Sequence, residues 1–436
     1  GRVDVPGNGI DEDCVGGDAS TVVVRRVGRS RADAYDEWRK QDRTAALYDR
    51  GKTLNVLLIS IDALRTDEAF IGPGLTKLRD QSLWFARGLS PAAGTDLSLS
   101  SLVTGRIDPF VRLESTVIEA IADSGRQTVG ILPREVLRYA GATLLTRGLE
   151  RKTVIVNDKS QRDVGGTTTS VETTDRALES MERLAAGAEP FVLGVHYFDV
   201  HEHLQVEKSD RDLRAIGGET STVADKYRAL VRLSDREIGR LLSGLEALGH
   251  DKDTVVVLVS DHGESLGEDP RLPDNHGLFL YQPLVAIPIL VRIPGVSGRR
   301  IDEPVTLVDV SRTLLELTGA RSPKEVAGID LTVFGDATVD EVLRRRGEPI
   351  VLNESNQWGI VDWPHKLMVR PEDNLVELYD LAADPDEKRN LASEKGDVVE
   401  RLKSLYAGYP KPNLDRTRKA RRERERLAQP PRRPRR

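Results

Sequence analysis

The sequence predicts an α/β protein with a large, mainly parallel central sheet, helices on both of its faces, and a small α+β subdomain near the C-terminal end. Two observations carry this. From residue 54, short β-branched runs that are apolar on both faces alternate with stretches of helical period, the pattern of strands buried beneath helices. From residue 346 a shorter segment containing LVELYDL (375–381) reads as a separate lobe. The 436 residues, 39% hydrophobic and 31% charged, suffice for a substantial core in one large or two ordinary domains.

The partners are bounded by charge and cysteine count. A net charge of −6, with basic residues spread through the body except at the C-terminal end, supplies no field for nucleic acid. Cys14 is the single cysteine, which excludes an internal disulfide and a cysteine-based zinc site. No apolar run approaches the roughly 18 residues needed to span a bilayer. No signal peptide is visible, but the chain starts at Gly1 rather than Met, so that says little about what precedes it.

In chain order, residues 1–20 (GRVDVPGNGIDEDCVGGDAS) are rich in Gly and Asp and form an appendage without a core. Asp4, Asn8, Asp11 and Asp13 bring oxygen donors together at short spacing, as hard cations such as calcium require. The stretch resembles the Asp-rich calcium-binding repeats of secreted proteins; a solvated acidic loop accounts for it equally well. Residues 21–52 are expected to form a linker or helical lead-in. Strands are expected in LNVLLISID (54–62), TVGILP (128–133), PFVLGVHYFD (190–199), TVVVLVSD (254–261) and VAIPILVRIP (285–294). A helix is expected over 224–249, with Leu230, Leu233, Ile238, Leu241, Leu242 and Leu245 apolar and Gly249 as its stop. The domain plan is a main domain over 53–345, a subdomain over 346–410 and a basic tail over 411–436. Within it, DRTRKARRERERLAQPPRRPRR (415–436) lacks a sustained apolar face; disorder or a solvated helix is expected, or else a basic arm touching anionic lipid or polymer.

Three of these strands end in residues able to hold a cation. One runs into Asp62, one into Asp199 with His201 and His203 close behind, and one into Asp261 and His262. Ligands of open α/β sheets bind at the carboxyl ends of strands, and this oxygen and nitrogen set suits zinc, manganese, magnesium or calcium. SPAAGTDLSLSSLVTGR (90–106) adds a Gly-Thr turn that leads into a helix start, where backbone N–H groups face an anion. A hydroxyl beside a metal becomes a nucleophile toward phosphorus or sulfur. Thr95 fits that role, and it also fits a plain helix cap.

Taken together, SIDALRTD, GTDLSLSSLVTGR, FDVHEH, LSDREIGRLLSGL, SDHGESLGED, NHGLFLYQPLVAIPILVRIPG, LVDVSRTLLELTG and ELYDLAADPDEKRNLA resemble, in kind and order, the sulfatases and their relatives in the alkaline-phosphatase superfamily, over about residues 53–406. The resemblance implies hydrolysis or transfer of sulfate or phosphate groups at a metal. It places Asp62, Asp261 and His262 at metal-ligand positions and Thr95 at the nucleophile position. Sulfatases there carry a cysteine or serine matured to formylglycine in a C/S-x-P/A-x-R pattern, whereas this chain reads Thr95-Asp96-Leu97-Ser98-Leu99, and Ala63 replaces their second aspartate. Formylglycine is therefore not expected. The set looks more like that of phosphoethanolamine transferases and lipoteichoic-acid synthases, where threonine is the nucleophile on one zinc or manganese ion.

The expected mechanism is in-line attack by Thr95, protonation of the leaving oxygen by His201 or His276, and release by water or an acceptor hydroxyl. The ion is one of zinc, manganese or calcium. Arg134 and Lys366 are candidates for anion contact. Asp199, His203 and His276 resemble a second metal site, so a two-metal phosphodiesterase or phosphatase is one alternative. A non-catalytic sulfatase-like binding protein is the other. The substrate is a small-molecule, lipid or glycan ester, and the resemblance implies an extracytoplasmic location.

Overall fold

A computed structural model describes residues 30–156, 167–273, 275–415 and 418–430. Asp4, Asn8, Asp11 and Asp13 lie outside the described residues. The strands are β1 (Asn55–Ile61), β2 (Leu83–Phe85), β3 (Gly88–Leu89), β4 (Gln127–Pro133), β5 (Arg151–Ile155), β6 (Phe191–Tyr197), β7 (Thr254–Ser260), β8 (Ile289–Arg292), β9 (Arg299–Ile301), β10 (Val305–Thr306), β11 (Ile350–Glu354), β12 (Gln357–Asp362), β13 (His365–Arg370) and β14 (Leu375–Asp380). Eight of them form one sheet in the order β5-β4-β6-β1-β7-β8-β2-β9. β1 pairs parallel with β6 on one side and with β7 on the other. The run expected at 285–294 forms β8, which is antiparallel to both β7 and β2.

The two-sided apolar runs split residue by residue between the faces, as the pleat demands. Val56 and Leu58 of β1 join Val255, Val257 and Val259 of β7 in a core that includes Leu99, Leu102 and Leu314. Leu57, Ile59 and Ile61 join Leu193, Val195, Val256 and Leu258 in a second core, under Leu230, Leu233, Ile238, Leu241 and Leu245. Those leucines belong to the helix Val223–Ala247, in which Thr222 and Asp225 close a capping box at the N-terminus. Every residue of β1 and β7 is buried, and each fully buried aliphatic side chain favours the fold by about 1.5–3 kcal/mol. The strand ends are thus among the best-anchored points of the chain.

β11 to β14 form a separate antiparallel sheet in sequence order. Ile360, Leu367 and Leu378 on one face pack against Val399 and Leu402 of the helix Gly396–Ala407. Val361, Met368 and Tyr379 on the other pack against Leu280, Leu284 and Val285 of the main domain. Of the states expected for the tail, a helix is observed, but one side of it is packed rather than solvated. The helix is Arg418–Ala428, with Ala420 and Ala428 buried against the body.

Candidate functional site

Parallel register brings the site together. Ile61 of β1 pairs with Ser260 of β7, so the residues that follow, Asp62 and Asp261, emerge side by side. Ser260 holds both turns: its Oγ lies 2.8 Å from the Ile61 carbonyl and 2.7 Å from the His262 carbonyl, and accepts from the Leu64 N–H at 2.9 Å. The turn after β1 passes through Ala63 at φ 60°, held by the Tyr227 hydroxyl donating to the Ala63 carbonyl at 2.7 Å. Gly263 lets the next loop pass close to the chain: an added Cβ would lie 2.0 Å from the Pro283 carbonyl oxygen.

Each carboxylate uses one oxygen on the fold and leaves the other free. Asp261 Oδ1 accepts from the N–H groups of Ala63 (3.1 Å) and His262 (2.9 Å). Asp62 Oδ2 faces His196 Nε2 at 3.2 Å, and the Nδ1 of that ring is 2.7 Å from Ser60 Oγ. Asp62 Oδ1 and Asp261 Oδ2 are buried without a hydrogen-bond partner. Both face His262 Nε2, at 3.4 Å and 3.6 Å. His262 Nδ1 is 2.8 Å from the Gly263 carbonyl, which assigns the proton to Nδ1 and leaves Nε2 as a lone-pair donor.

Unpaired buried oxygens beside an imidazole lone pair are costly without a cation. Among the described residues Asp62, Asp261 and His262 are the group whose ligand atoms all lie within 4.8 Å of one another. The donor set therefore fits a divalent ion. Burial opposes ionisation of Asp62, but the neighbouring His201, His196 and His262 rings outweigh it and hold its carboxyl below the usual range. Burial and the Asp62 charge push the Asp261 carboxyl up.

Thr95 is the first residue of the helix Thr95–Thr104, and Gly94 occupies the cap position. The hydroxyl is therefore released from capping, and Oγ1 lies 3.2 Å from His262 Nε2. A cavity of about 420 Å³ opens over it, lined among others by Asp96, His201, His203, Glu264 and His276. His276 stacks on His262 with ring centroids 4.3 Å apart and is 5.0 Å from the His201 ring. Its Nδ1 is 2.9 Å from Glu264 Oε2. His201 stacks on Phe198 at 4.6 Å, and its Nδ1 is 3.1 Å from Glu202 Oε1. Burial disfavours the charged His201 ring, yet the carboxylates of Asp62, Glu202 and Glu264 push it up to about 9. His276 goes the other way, to about 4, through burial and the adjoining His262 ring.

Three expected site residues fall elsewhere. Asp199 does not join His203 and His276 in a second metal site. Its Oδ1 accepts from the Thr169 N–H and hydroxyl at 2.7 and 2.8 Å and its Oδ2 from the Ser170 N–H at 2.8 Å, which caps the helix Ser170–Ala185. The i, i+4 spacing misleads because residues 201–204 form a single short 3₁₀ turn rather than a helix running from 199. Lys366 makes no anion contact: it is fully buried, its Nζ 2.7 Å from Glu387 Oε1 and bonded to the Leu280 carbonyl. Arg134 opens the helix Arg134–Ala140 after β4 and is not part of the cavity wall.

Other residues take part without having been singled out. His196 is a buried histidine inside the apolar run FVLGVHYF, and that misplaced polarity was its only signal. Glu264 faces both His276 and, at 4.0 Å, His203; two residues after the Asp-His pair, it resembled any other loop acid. Glu202 is legible only as the neighbour of His201.

The family model described as Sulfatase matches residues 55–320. The chain belongs to the sulfatase family. A second model, N-sulphoglucosamine sulphohydrolase, C-terminal, matches residues 275–407. Arylsulfatase K of Mus musculus is 27% identical over 206 residues, 42% of this sulfatase-family chain and 36% of the mouse protein, so the match spans little more than a third of that relative. The solved phosphonate monoester hydrolase of Silicibacter pomeroyi superposes with a TM-score of 0.64 at 18% identity, covering 81% of this chain and 94% of its own. A protein solved in complex with its substrate D-glucosamine-2-N,6-O-disulfate gives 0.61 at 17% identity, covering 82% and 97%. The fold is shared with both. No helix among the described residues is long and apolar enough to cross a membrane.

Proposed function

We propose that this protein is a metal-dependent hydrolase or transferase of sulfate or phosphate esters, with Thr95 as its nucleophile. The observation that carries the reading is the position of Thr95 Oγ1, 3.2 Å from His262 Nε2, beside the unpartnered oxygens of Asp62 and Asp261. Those three side chains would hold one divalent ion, which when bound would favour the ionised Thr95 hydroxyl and neutralise charge on the ester oxygens. The names of the relatives, arylsulfatase and phosphonate monoester hydrolase, support an ester of sulfur or phosphorus.

The chain's own groups supply the rest. Thr95 Oγ1, its proton passed to solvent water in the cavity, attacks in line, and the N–H groups at the start of the helix Thr95–Thr104 face the anion. His201, held through Nδ1 by Glu202, protonates the leaving oxygen. The Glu202 bond persists when Asp62 is shared with an ion, which favours His201 over the uncharged His276 as the acid. His276, fixed by Glu264, bounds the anion. Water or an acceptor hydroxyl then frees the group from Thr95. Formylglycine has no place in this reading, because oxidation at the Cβ of threonine gives a ketone rather than an aldehyde. With Asp199 used as a helix cap, a single ion is favoured over two. An extracytoplasmic setting belongs to the same reading and draws its support from the family alone.

The test is turnover of aryl sulfate, aryl phosphate and aryl phosphodiester by the purified chain after exposure to zinc, manganese or calcium. At least one ester should turn over, with chelator abolishing the rate and Thr95→Ala lowering it by about 10³-fold or more. Less than about a tenth of an equivalent of bound ion, with no turnover, would identify a non-catalytic binding protein instead.

A further inference from the structure

We propose that Arg421, on the C-terminal helix Arg418–Ala428, binds a second anionic group of the substrate, a carboxylate, sulfate or phosphate set apart from the ester that reacts, and so selects polyanionic esters. The inference rests on the ester-hydrolase reading of the site and adds the substrate class.

The helix is docked at the mouth of the cavity rather than free. Ala420, Arg424 and Ala428 share one face at i, i+4 and i+8. Ala420 and Ala428 are buried. Arg147 Nη1 donates to the Ala428 carbonyl at 3.0 Å. The Arg424 guanidinium sits 4.7 Å from the Phe110 ring centroid, donates to the Asn413 carbonyl at 2.9 Å, and lies 4.0 Å from Asp96 Oδ2. Asp96 directly follows Thr95. These contacts fix the helix beside the nucleophile's own turn.

Arg421 stands one helical turn before Arg424 and contributes to the wall of the same cavity as Thr95, His201 and His276. It is the only Arg or Lys among the described residues in that wall. Arg424 is already engaged by Phe110, Asn413 and Asp96, whereas Arg421 is exposed and makes no hydrogen bond or ion pair with a described residue. A second space of about 110 Å³ shares Asp96 and Arg421 with this cavity and is lined also by Arg138 and Arg424. A guanidinium in that position is suited to bidentate contact with a carboxylate, sulfate or phosphate. A substrate with one anionic group at Thr95 and another a few bonds away would span both.

The experiment uses the full chain and a pair of aryl esters, of whichever acid is turned over, that differ by one added carboxylate. Arg421→Ala should lower kcat/KM for the carboxylated ester at least tenfold more than for the plain one, as expected for loss of a charge-assisted bond, with the loss in KM rather than kcat. Arg421→Lys should recover part of it. An equal effect on both esters, or none, overturns the proposal. Calorimetric binding of the same two esters to the Thr95→Ala chain, with and without Arg421→Ala, reads the difference without turnover. Absent turnover then counts against the hydrolase reading, and only an absent Arg421-dependent binding difference counts against this one.

Discussion

The methyl group on Cβ of Thr95 separates this site from one built on an aldehyde. If the hydroxyl itself attacks, Thr95→Ser should retain the rate to within about tenfold, while Thr95→Ala loses about 10³-fold or more, measured as kcat on the same aryl ester. His201 can be tested through the leaving group. A general acid contributes about 10²–10⁴-fold, and it matters most when the departing oxygen is basic. His201→Gln should therefore depress kcat strongly for an alkyl ester and far less for a nitrophenyl ester; an equal loss on both would remove His201 from that role. His196 acts one step further out, steering Asp62 through the 3.2 Å contact while Ser60 holds its other nitrogen. Such outer partners of metal ligands are worth 10–100-fold in affinity. His196→Ala should weaken ion binding by about that factor in a competition titration, with the Thr95 hydroxyl untouched.

At the scale of elements, a buried ion pair inside the C-terminal subdomain helps to fasten its sheet to the main domain, because each partner also bonds the main-domain backbone. Lys366 in β13 meets Glu387, which also accepts from the Gln282 N–H at 2.7 Å, and Lys366 bonds the Leu280 carbonyl. Burial pushes the Lys366 ammonium down and the Glu387 carboxyl up, so neither charge is sustained without the other. Removing one partner of such a pair costs about 3–5 kcal/mol. Lys366→Ala should move the urea midpoint sharply down, whereas Lys366→Met with Glu387→Leu should restore most of it and leave KM for the aryl ester unchanged. A KM effect in the paired variant would return Lys366 to the anion site. The same residue shows where sequence reasoning stopped. β1, β6 and β7 were legible because their apolar runs carry period and length, and the clustering of Asp62, Asp261 and His262 was legible because they end two of those runs. Lys366 and Asp199 were misjudged because a charge in a strand or behind one looks the same whether it faces a ligand, a buried partner or a helix start. The docked tail was missed for a related reason: its two anchoring alanines, Ala420 and Ala428, make too faint an apolar stripe among so many arginines.

Across the whole molecule, the ion would join two strand ends that otherwise repel. Asp62 and Asp261 emerge from neighbouring strands at the centre of the eight-stranded sheet, with one bare oxygen each. Because Asp261 is pushed up by burial and by Asp62, the ion-free fold retains a proton there that the unfolded chain releases. That raised carboxyl contributes stability in acid that is lost as pH rises above the unfolded carboxylate range toward its folded value. Ion binding expels the proton, so affinity should fall as pH drops through the same window. An ion that binds only the folded chain adds about 2.7 kcal/mol at one hundred times its dissociation constant. Chelation at neutral pH should therefore lower the melting temperature by several degrees, and by less at acid pH, where the pair already holds its proton. Asp62→Asn with Asp261→Asn removes both the repulsion and the binding site. That variant should melt above the chelated parent and be indifferent to chelator; a shift equal to the parent's would mean that the ion sits somewhere other than between β1 and β7.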